Sequence, residues 1–441
     1  MDMSENVKRR YLEFYALRKF HVLPSESLLP SGGDSTLLFV NSVLARFKKE
    51  YCGLVDPVDL RLATSQPCLR FAGQSTLRAS QDVLRDLNEG RRPTLFEQLG
   101  TAVFGVSSRD EAIENIWLLL VEEFGLPPDK IWITLYQDDV ATYNSWRGIG
   151  FPEDRMVLVG EQHWAYIPDI NICGPCTHFI YDRGKKFMYA CGKNECGPRC
   201  GCGRFVDLGD LIFFENRCDK DKGVVGRLSR LNIDSGLSLE RLCMVIENKN
   251  TELDISSFQP ILSKLSEVSE YIYGTNSEQD AAMRIIADHA RAVTFSIGSM
   301  ILPNSKGRGY VIRKIVRRAS QFGNFLGKSQ PFLHQLCDVV IDTMADTYPF
   351  LADKRAKCRE VILDEERRYQ GALQNSILEF QKIADSAAVV GSLSGEEIFK
   401  LYSTYGMPLE LLKTLARARK LTIDETGFNK FLTAERDRSR S

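Results

Sequence analysis

The sequence changes character once, near residue 250, and that change limits the fold to two unlike halves. Before it, short runs rich in branched and aromatic residues read as strands: Thr36 to Val40, Ile131 to Leu135, Arg155 to Val159, Phe179 to Tyr181 and Leu211 to Phe214. Apolar residues at helical spacing run through 111–124 (EAIENIWLLLVEEF). From about residue 255 the pattern becomes long helices carrying many Arg and Lys, with few strand signals. The polar stretch 246–256 (IENKNTELDIS) is the predicted boundary. An α+β unit over 1–250 followed by an all-α unit over 251–441 is therefore expected.

Composition narrows the partners. A net charge of −1 excludes nucleic-acid binding through the whole surface, so any RNA site must come from local basic clusters. No apolar run is long enough to span a membrane, and MDMSENVKRRYLEF lacks the apolar core of a secretory signal. A cytoplasmic protein with no membrane or DNA partner is expected. Six of the twelve cysteines lie between Cys173 and Cys202, which points to metal or reduced thiols rather than a disulfide framework. Cys191, Cys196, Cys200 and Cys202 can satisfy tetrahedral zinc; a loop of free thiols is the alternative.

The densest chemistry lies in Asn232 to Arg241, NIDSGLSLER. Asp234 supplies a carboxylate, and Ser235–Gly236 read as a small-residue turn that lets backbone approach a ligand. A helix starting there turns its first amides toward an anion. Arg241 at its end can lie flat on an aromatic base or fork onto phosphate. Residues 64–105 read as two antiparallel strands joined by a long polar loop, with Arg70 on the first and Glu97 on the second. A surface salt bridge is the commoner fate of a lone Arg70. Downstream stand HWAYIPDINICGPCTHFIYDRG (163–184), FVDLGDLIFFENR (205–217), RIIADHARAVTFSIG (284–298), GRGYVIRKIVRR (307–318) and FKLYSTYGMPLELL (399–412). As a helix, 307–318 places Val311, Ile312, Ile315 and Val316 on one stripe. Arg313, Lys314, Arg317 and Arg318 then form a cationic ridge suited to RNA phosphates, or simply a solvated face.

In this order, from about residue 10 to 430, the strings resemble the alanyl-tRNA synthetase family of class II aminoacyl-tRNA synthetases. NIDSGLSLER resembles the family's Asp-Thr-Gly-Met-Gly-Leu-Glu-Arg, its motif three. Residues 64–105 are similar to motif two, whose arginine bridges the α-phosphate and the amino-acid carboxylate. SLLPSGGDSTLLFVN (27–41) resembles motif one, with Ser35 for the family's Pro and Asn41 retained. The resemblance implies an antiparallel class II sheet flanked by helices, followed by an all-α tRNA-binding domain. It implies activation of alanine by ATP and Mg2+ to an aminoacyl-adenylate, then transfer to the 3′ end of tRNA.

The implied catalytic residues are Arg70, Asp234 and Arg241. ATP would meet Arg70, Arg91, Glu97, Gly236 and Arg241. The amino-acid pocket would comprise Ala165, Asp169, Gly209, Asp210, Ile212, Asp234 and Gly236. The tRNA acceptor stem would meet Asn304, Ser305, Arg308, Arg313, Lys314, Arg317, Arg318 and Glu410. Departures cluster in the pocket: Ala165 stands for Trp, Gly209–Asp210 for Trp-Asn, Ile212 for Val, His178 for Glu and Ser238 for Gly. Pro67 stands for an Arg, and Ser305 and Glu410 replace the Asn and Asp that read a wobble pair. A larger, more acidic pocket is expected, suited to a bulkier or more cationic amino acid. A paralogue using another amino acid or acceptor is thus the first alternative, and a non-catalytic RNA-binding relative the second. Retention of Arg70, Asp234 and Arg241 argues against the latter. The family's editing motif, His-x3-His with a distant Cys-x3-His, is absent from these residues, so no editing is expected of them.

Overall fold

The structure, a computed structural model, describes residues 3–30, 36–71, 93–187, 191, 196–387 and 391–438. Its strands are β1 (His21–Leu23), β2 (Arg61–Leu69), β3 (Leu95–Phe104), β4 (Ile131–Tyr136), β5 (Met156–Val159), β6 (Trp164–Ile167), β7 (Ile172–Asp182), β8 (Phe205–Asp219) and β9 (Gly223–Ser238). They form one sheet in the order β1-β2-β3-β9-β8-β7-β4-β5, with β6 paired to β7. Pairing is antiparallel except for β1 with β2 and β4 with β5. Helices of the first half are α1 (Met3–Leu17), α2 (Lys48–Tyr51), α3 (Arg109–Leu118), α4 (Val140–Gly148) and α5 (Leu239–Ile246). The second half is helical: α6 (Gln259–Ser269), α7 (Ser277–Gly298), α8 (Gly307–Phe325), α9 (Leu333–Met344), α10 (Phe350–Asp353), α11 (Arg355–Ala387), α12 (Gly395–Ser403), α13 (Leu409–Ala418) and α14 (Glu425–Arg438). A short parallel pair, Ser392–Leu393 with Thr422–Ile423, stitches α12 to the α13–α14 turn. The expected antiparallel sheet followed by helices is what forms.

Two local expectations are corrected. Thr36–Val40 is not a strand: the Val40 amide bonds to Leu28 O at 2.8 Å and its carbonyl takes the Leu69 amide at 2.9 Å. Phe39 and Val40 are nevertheless buried, so the apolar run was a burial signal rather than a strand signal. Ser235–Gly236 is not a turn either. Both lie in mid-β9, paired to Thr101 and Gly100 of β3 on one side and to Leu211 and Asp210 of β8 on the other.

Alternation on the central strands separates two faces. Leu99, Phe179, Leu211, Phe213, Ile233 and Leu237 enter the main core, where Ile113 and Ile116 of α3 and Leu242 of α5 meet them. That core continues without a break through α6–α9 and into α11 as far as Ile362. The change of secondary structure near residue 250 is therefore not a gap in the core. Helix α7 is buried along nearly its whole length, the behaviour of a central helix covered on every side. Beyond it, Phe380 to Phe428 build a separate core for α12–α14.

Buried charges cross the seam between the halves. Lys8 of α1 lies 2.8 Å from Glu97 of β3, which also accepts from Ser65 Oγ at 2.9 Å. Glu240 of α5 accepts the Glu97 amide with both oxygens, at 3.2 and 3.1 Å, and Arg291 of α7 at 2.8 Å. Burial pushes the Glu240 carboxyl up to about 7, with Arg291 opposing. Burial also works against Glu97, yet Lys8 and Arg291 hold its carboxyl below the usual range. Removing one member leaves an uncompensated charge out of water, which costs about 3–5 kcal/mol. Arg291→Ala is expected to lower unfolding free energy by about that amount, read from urea midpoints at unchanged m-value.

Candidate active site

On the sheet face turned away from the main core, a cavity of about 460 Å³ opens beside α8. Its floor is a row in register across three strands, His178 of β7, Asp210 of β8 and Gly236 of β9. Gln98 of β3 lies over Gly236, where a Cβ would come within 2.0 Å of its Nε2. The Gln98 Oε1 takes the Val43 amide at 2.6 Å, tying the segment before α2 to the cavity. Gly209 (φ +156°) brings β8 so close to β9 that a Cβ would meet Gly236 O at 2.0 Å.

Two retained residues, Arg70 and Arg241, line the cavity, and a third, Asp234, lies on the strand that carries its Gly236. Arg70, just past β2, bonds through its Nε to Asn41 O at 2.8 Å and stacks over Phe96, 4.8 Å from the ring centroid. Its amide pairs with Thr94 O at 2.9 Å. Arg241 sits in the first turn of α5, whose N-cap is Ser238. Its Nε reaches Glu252 at 3.2 Å and its Nη1 reaches Asp207 O at 2.7 Å, so the guanidinium is held flat before any ligand arrives. Burial opposes the Arg241 charge most, but Glu252 and Asp207 outweigh it. Asp234, 4 % exposed, lies two residues before Gly236 and accepts Tyr51 Oη at 2.8 Å. Burial raises its carboxyl to about 7; the Tyr51 bond pulls it down and Asp210 pushes it up.

Other site residues behave differently from their sequence reading. Glu97 faces the opposite side of the sheet from Gln98, in the buried network with Lys8, because neighbours on a strand alternate. Ala165 packs against a second apolar cluster that contains Ile212 and Cys176. Asp169, in the β6–β7 turn, accepts Lys48 Nζ at 2.6 Å and Thr36 Oγ1 at 2.9 Å. Arg91 and Ser35 lie outside the described residues, as does the side chain of Glu410 on α13.

The expected cationic ridge on α8 divides. Arg313 and Arg317 both turn to the buried Glu365 of α11, at 3.5 and 2.8 Å. Lys314 is exposed above the Tyr310 ring, and Arg318 lines the cavity. Asn304 and Ser305 are exposed ahead of α8, while Arg308 bonds to Leu37 O at 3.3 Å.

Sequence reasoning noted His178 as a departure but passed over its acid partner in the cavity, Asp207. His178 Nδ1 lies 3.1 Å from Asp207, and its Nε2 lies 3.6 Å from Cys176 Sγ. Burial disfavours the imidazolium, but the bonds to Asp207 and Cys176 carry its pKa well above the usual value. The signal was present: a histidine standing where the family has a carboxylate calls for a nearby acid.

The thiols of Cys191, Cys196, Cys200 and Cys202 all lie within 4.8 Å of one another. Two of the separations are 3.6 Å (Cys191–Cys200) and 3.5 Å (Cys196–Cys202). Zn–S bonds of about 2.3 Å at tetrahedral angles put sulfurs about 3.8 Å apart, so the four donors are grouped at close to the spacing zinc requires. Contrary to the expectation of metal or reduced thiols rather than disulfides, Cys173 forms a disulfide with Cys218 between β7 and β8.

With this geometry in hand, likeness to known proteins has a structural counterpart. The family described as tRNA synthetases class II (A) matches residues 6–441. Alanine–tRNA ligase of Desulforudis audaxviator is 36% identical over 440 residues, 99% of this chain and 48% of the relative. The same-named proteins of Thermotoga maritima (35%) and Thermoanaerobacter sp. (33%) align over 99% and 100% of this chain and 49% of their own lengths. The chain spans about half the length of the curated relatives it matches. It belongs to the class II tRNA synthetase family.

Proposed function

We propose that this chain activates an amino acid with ATP and transfers it to the 3′ end of a tRNA, with alanine as the amino acid. The observation that carries this reading is the gathering of Arg70 and Arg241 around one cavity with Asp234 beside its Gly236. The substrate ammonium would meet the Asp234 carboxylate, and the substrate carboxylate would attack the α-phosphorus of ATP. Extra negative charge builds there as pyrophosphate departs, and a fixed cation at Arg70 stabilises it. Arg241, clamped by Glu252, offers a flat face to adenine. Mg2+ would accompany the phosphates and screen their charge. A ribose hydroxyl of the tRNA end then attacks the acyl carbonyl and releases AMP.

The helical half supports an acceptor-stem contact through exposed Asn304, Ser305 and Lys314, with Arg308, Arg313 and Arg317 on the same helix as Lys314; Glu410 is carried into this proposal from the sequence alone. We assign residues 1–250 to adenylate formation and 251–441 to tRNA. One observation favours a second reading, in which another amino acid is taken: Asp210 adds a buried carboxyl to the cavity where the family carries Asn. Amino-acid-dependent pyrophosphate exchange across the twenty amino acids decides. Strongest exchange with alanine supports the first reading, strongest exchange with another amino acid supports the second, and none removes both.

The Asp234 carboxyl must lose its proton before it can take an ammonium. With its pKa raised to about 7, the amino-acid KM in this exchange is expected to fall as pH rises from about 6 to about 8. Below pH 7 the fall approaches roughly tenfold per unit, and Asp234→Asn flattens the profile. The linkage to stability has the same sign in protons. The folded state holds this proton more tightly than the unfolded chain, so this group's contribution to stability is lost as pH climbs from about 4 to about 7.

We also assign structural zinc to the four-cysteine cluster. Purified protein is expected to carry one zinc per chain by elemental analysis. A strong chelator should remove it and lower the melting temperature, and an absence of stoichiometric zinc rejects the assignment.

A further inference from the structure

Arg318 sits on α8, a helix of the tRNA-side half, yet its side chain lines the adenylation cavity. Its side chain is partly buried, and among the described residues it has no hydrogen bond or ion pair. Burial pulls its pKa down, and only the Asp288 charge opposes this. Asp288 is already engaged: it accepts the Thr94 amide at 2.7 Å, Thr94 Oγ1 at 2.6 Å and His289 Nδ1 at 2.8 Å. The other two cavity arginines are both anchored, Arg70 on Asn41 and Arg241 on Glu252. A partly buried guanidinium that faces a cavity and has no ion pair is free to make charge-assisted hydrogen bonds to an anion that fills the site.

Position says which end of the substrate that anion is. Arg318 faces Asp288, which grips Thr94, and the carbonyl of Thr94 holds the backbone of Arg70. Arg318 therefore flanks the residue assigned to the α-phosphate, while the adenine-stacking Arg241 has its own clamp. We infer that Arg318 of α8 is a ligand for the polyphosphate of ATP, so that the helical half completes the nucleotide site. This rests on the adenylation reading given above.

The test compares ATP with AMP, titrated calorimetrically into wild-type protein, Arg318→Ala, Arg318→Lys and Lys220→Ala, the last an exposed lysine in the β8–β9 turn. Loss of charge-assisted bonds to phosphate predicts about a 10- to 100-fold weaker ATP affinity for Arg318→Ala, with AMP affinity unchanged. Arg318→Lys should recover part of the loss, and Lys220→Ala should match wild type. Unchanged ATP affinity in Arg318→Ala overturns the inference. So does an equal loss of ATP and AMP, a loss confined to a tRNA minihelix, or a wild type that binds no ATP. If Arg318→Ala fails to fold, Arg318→Gln takes its place under the same criteria. A wild type that binds ATP without exchanging pyrophosphate for any amino acid removes the ligase reading and leaves the phosphate site standing. Active exchange with an insensitive Arg318→Ala does the reverse.

Discussion

Two acids and two cations, Glu97 and Glu240 with Lys8 and Arg291, are buried together at the junction of α1, β3, α5 and α7. Each charge is tolerable inside only because another neutralises it. The four elements carrying them consequently cannot shift one at a time. Glu97 and Gln98 are neighbours on β3, one facing the charge network and the other the cavity. Anything that moves the network moves the wall of the site.

The same helix grips β3 a second time. Arg291 and Asp288 lie three apart on α7, one turn on the same side, and reach Glu240 and Thr94 respectively. Thr94 in turn holds the backbone of Arg70. A short chain of contacts thus links the most buried helix of the second half to the cation assigned to the α-phosphate. Because the main core runs unbroken from the sheet into α6–α11, the helical half serves as part of the frame of the cavity.

Much of this was legible. Strands β4, β5, β7 and β8 follow their apolar runs, the helical text after 255 folds as helices, and the helix expected after Asp234–Gly236 forms with Arg241 in its first turn. What was illegible depended on partners distant in sequence. Helical spacing put Arg313, Arg317 and Arg318 on one ridge, but Glu365 of α11 captured two and the cavity took the third. Ser235 and Gly236 have turn chemistry, yet strands on both sides pair with them, and that pairing overrode local preference. Glu97 was read from a motif that does not say which way its strand faces.

The pocket departures also change meaning. Gly209 in place of a bulky aromatic suggested a roomier site, but the space beyond its Cα is already occupied by the backbone of Gly236 and Leu237. Gly209 therefore opens no hole between β8 and β9. What the departures do add to the cavity is charge, at Asp210 and His178. Asp210 lies beside His178, which bonds to Asp207, and Asp210 also raises the pKa of Asp234. An imidazolium and three carboxyls are coupled here in low dielectric, where each proton affects the others. Under the proposed reading, a substrate ammonium next to Asp234 would stabilise the ionised form of Asp210 as well, and the added acid would strengthen the hold on the amino group.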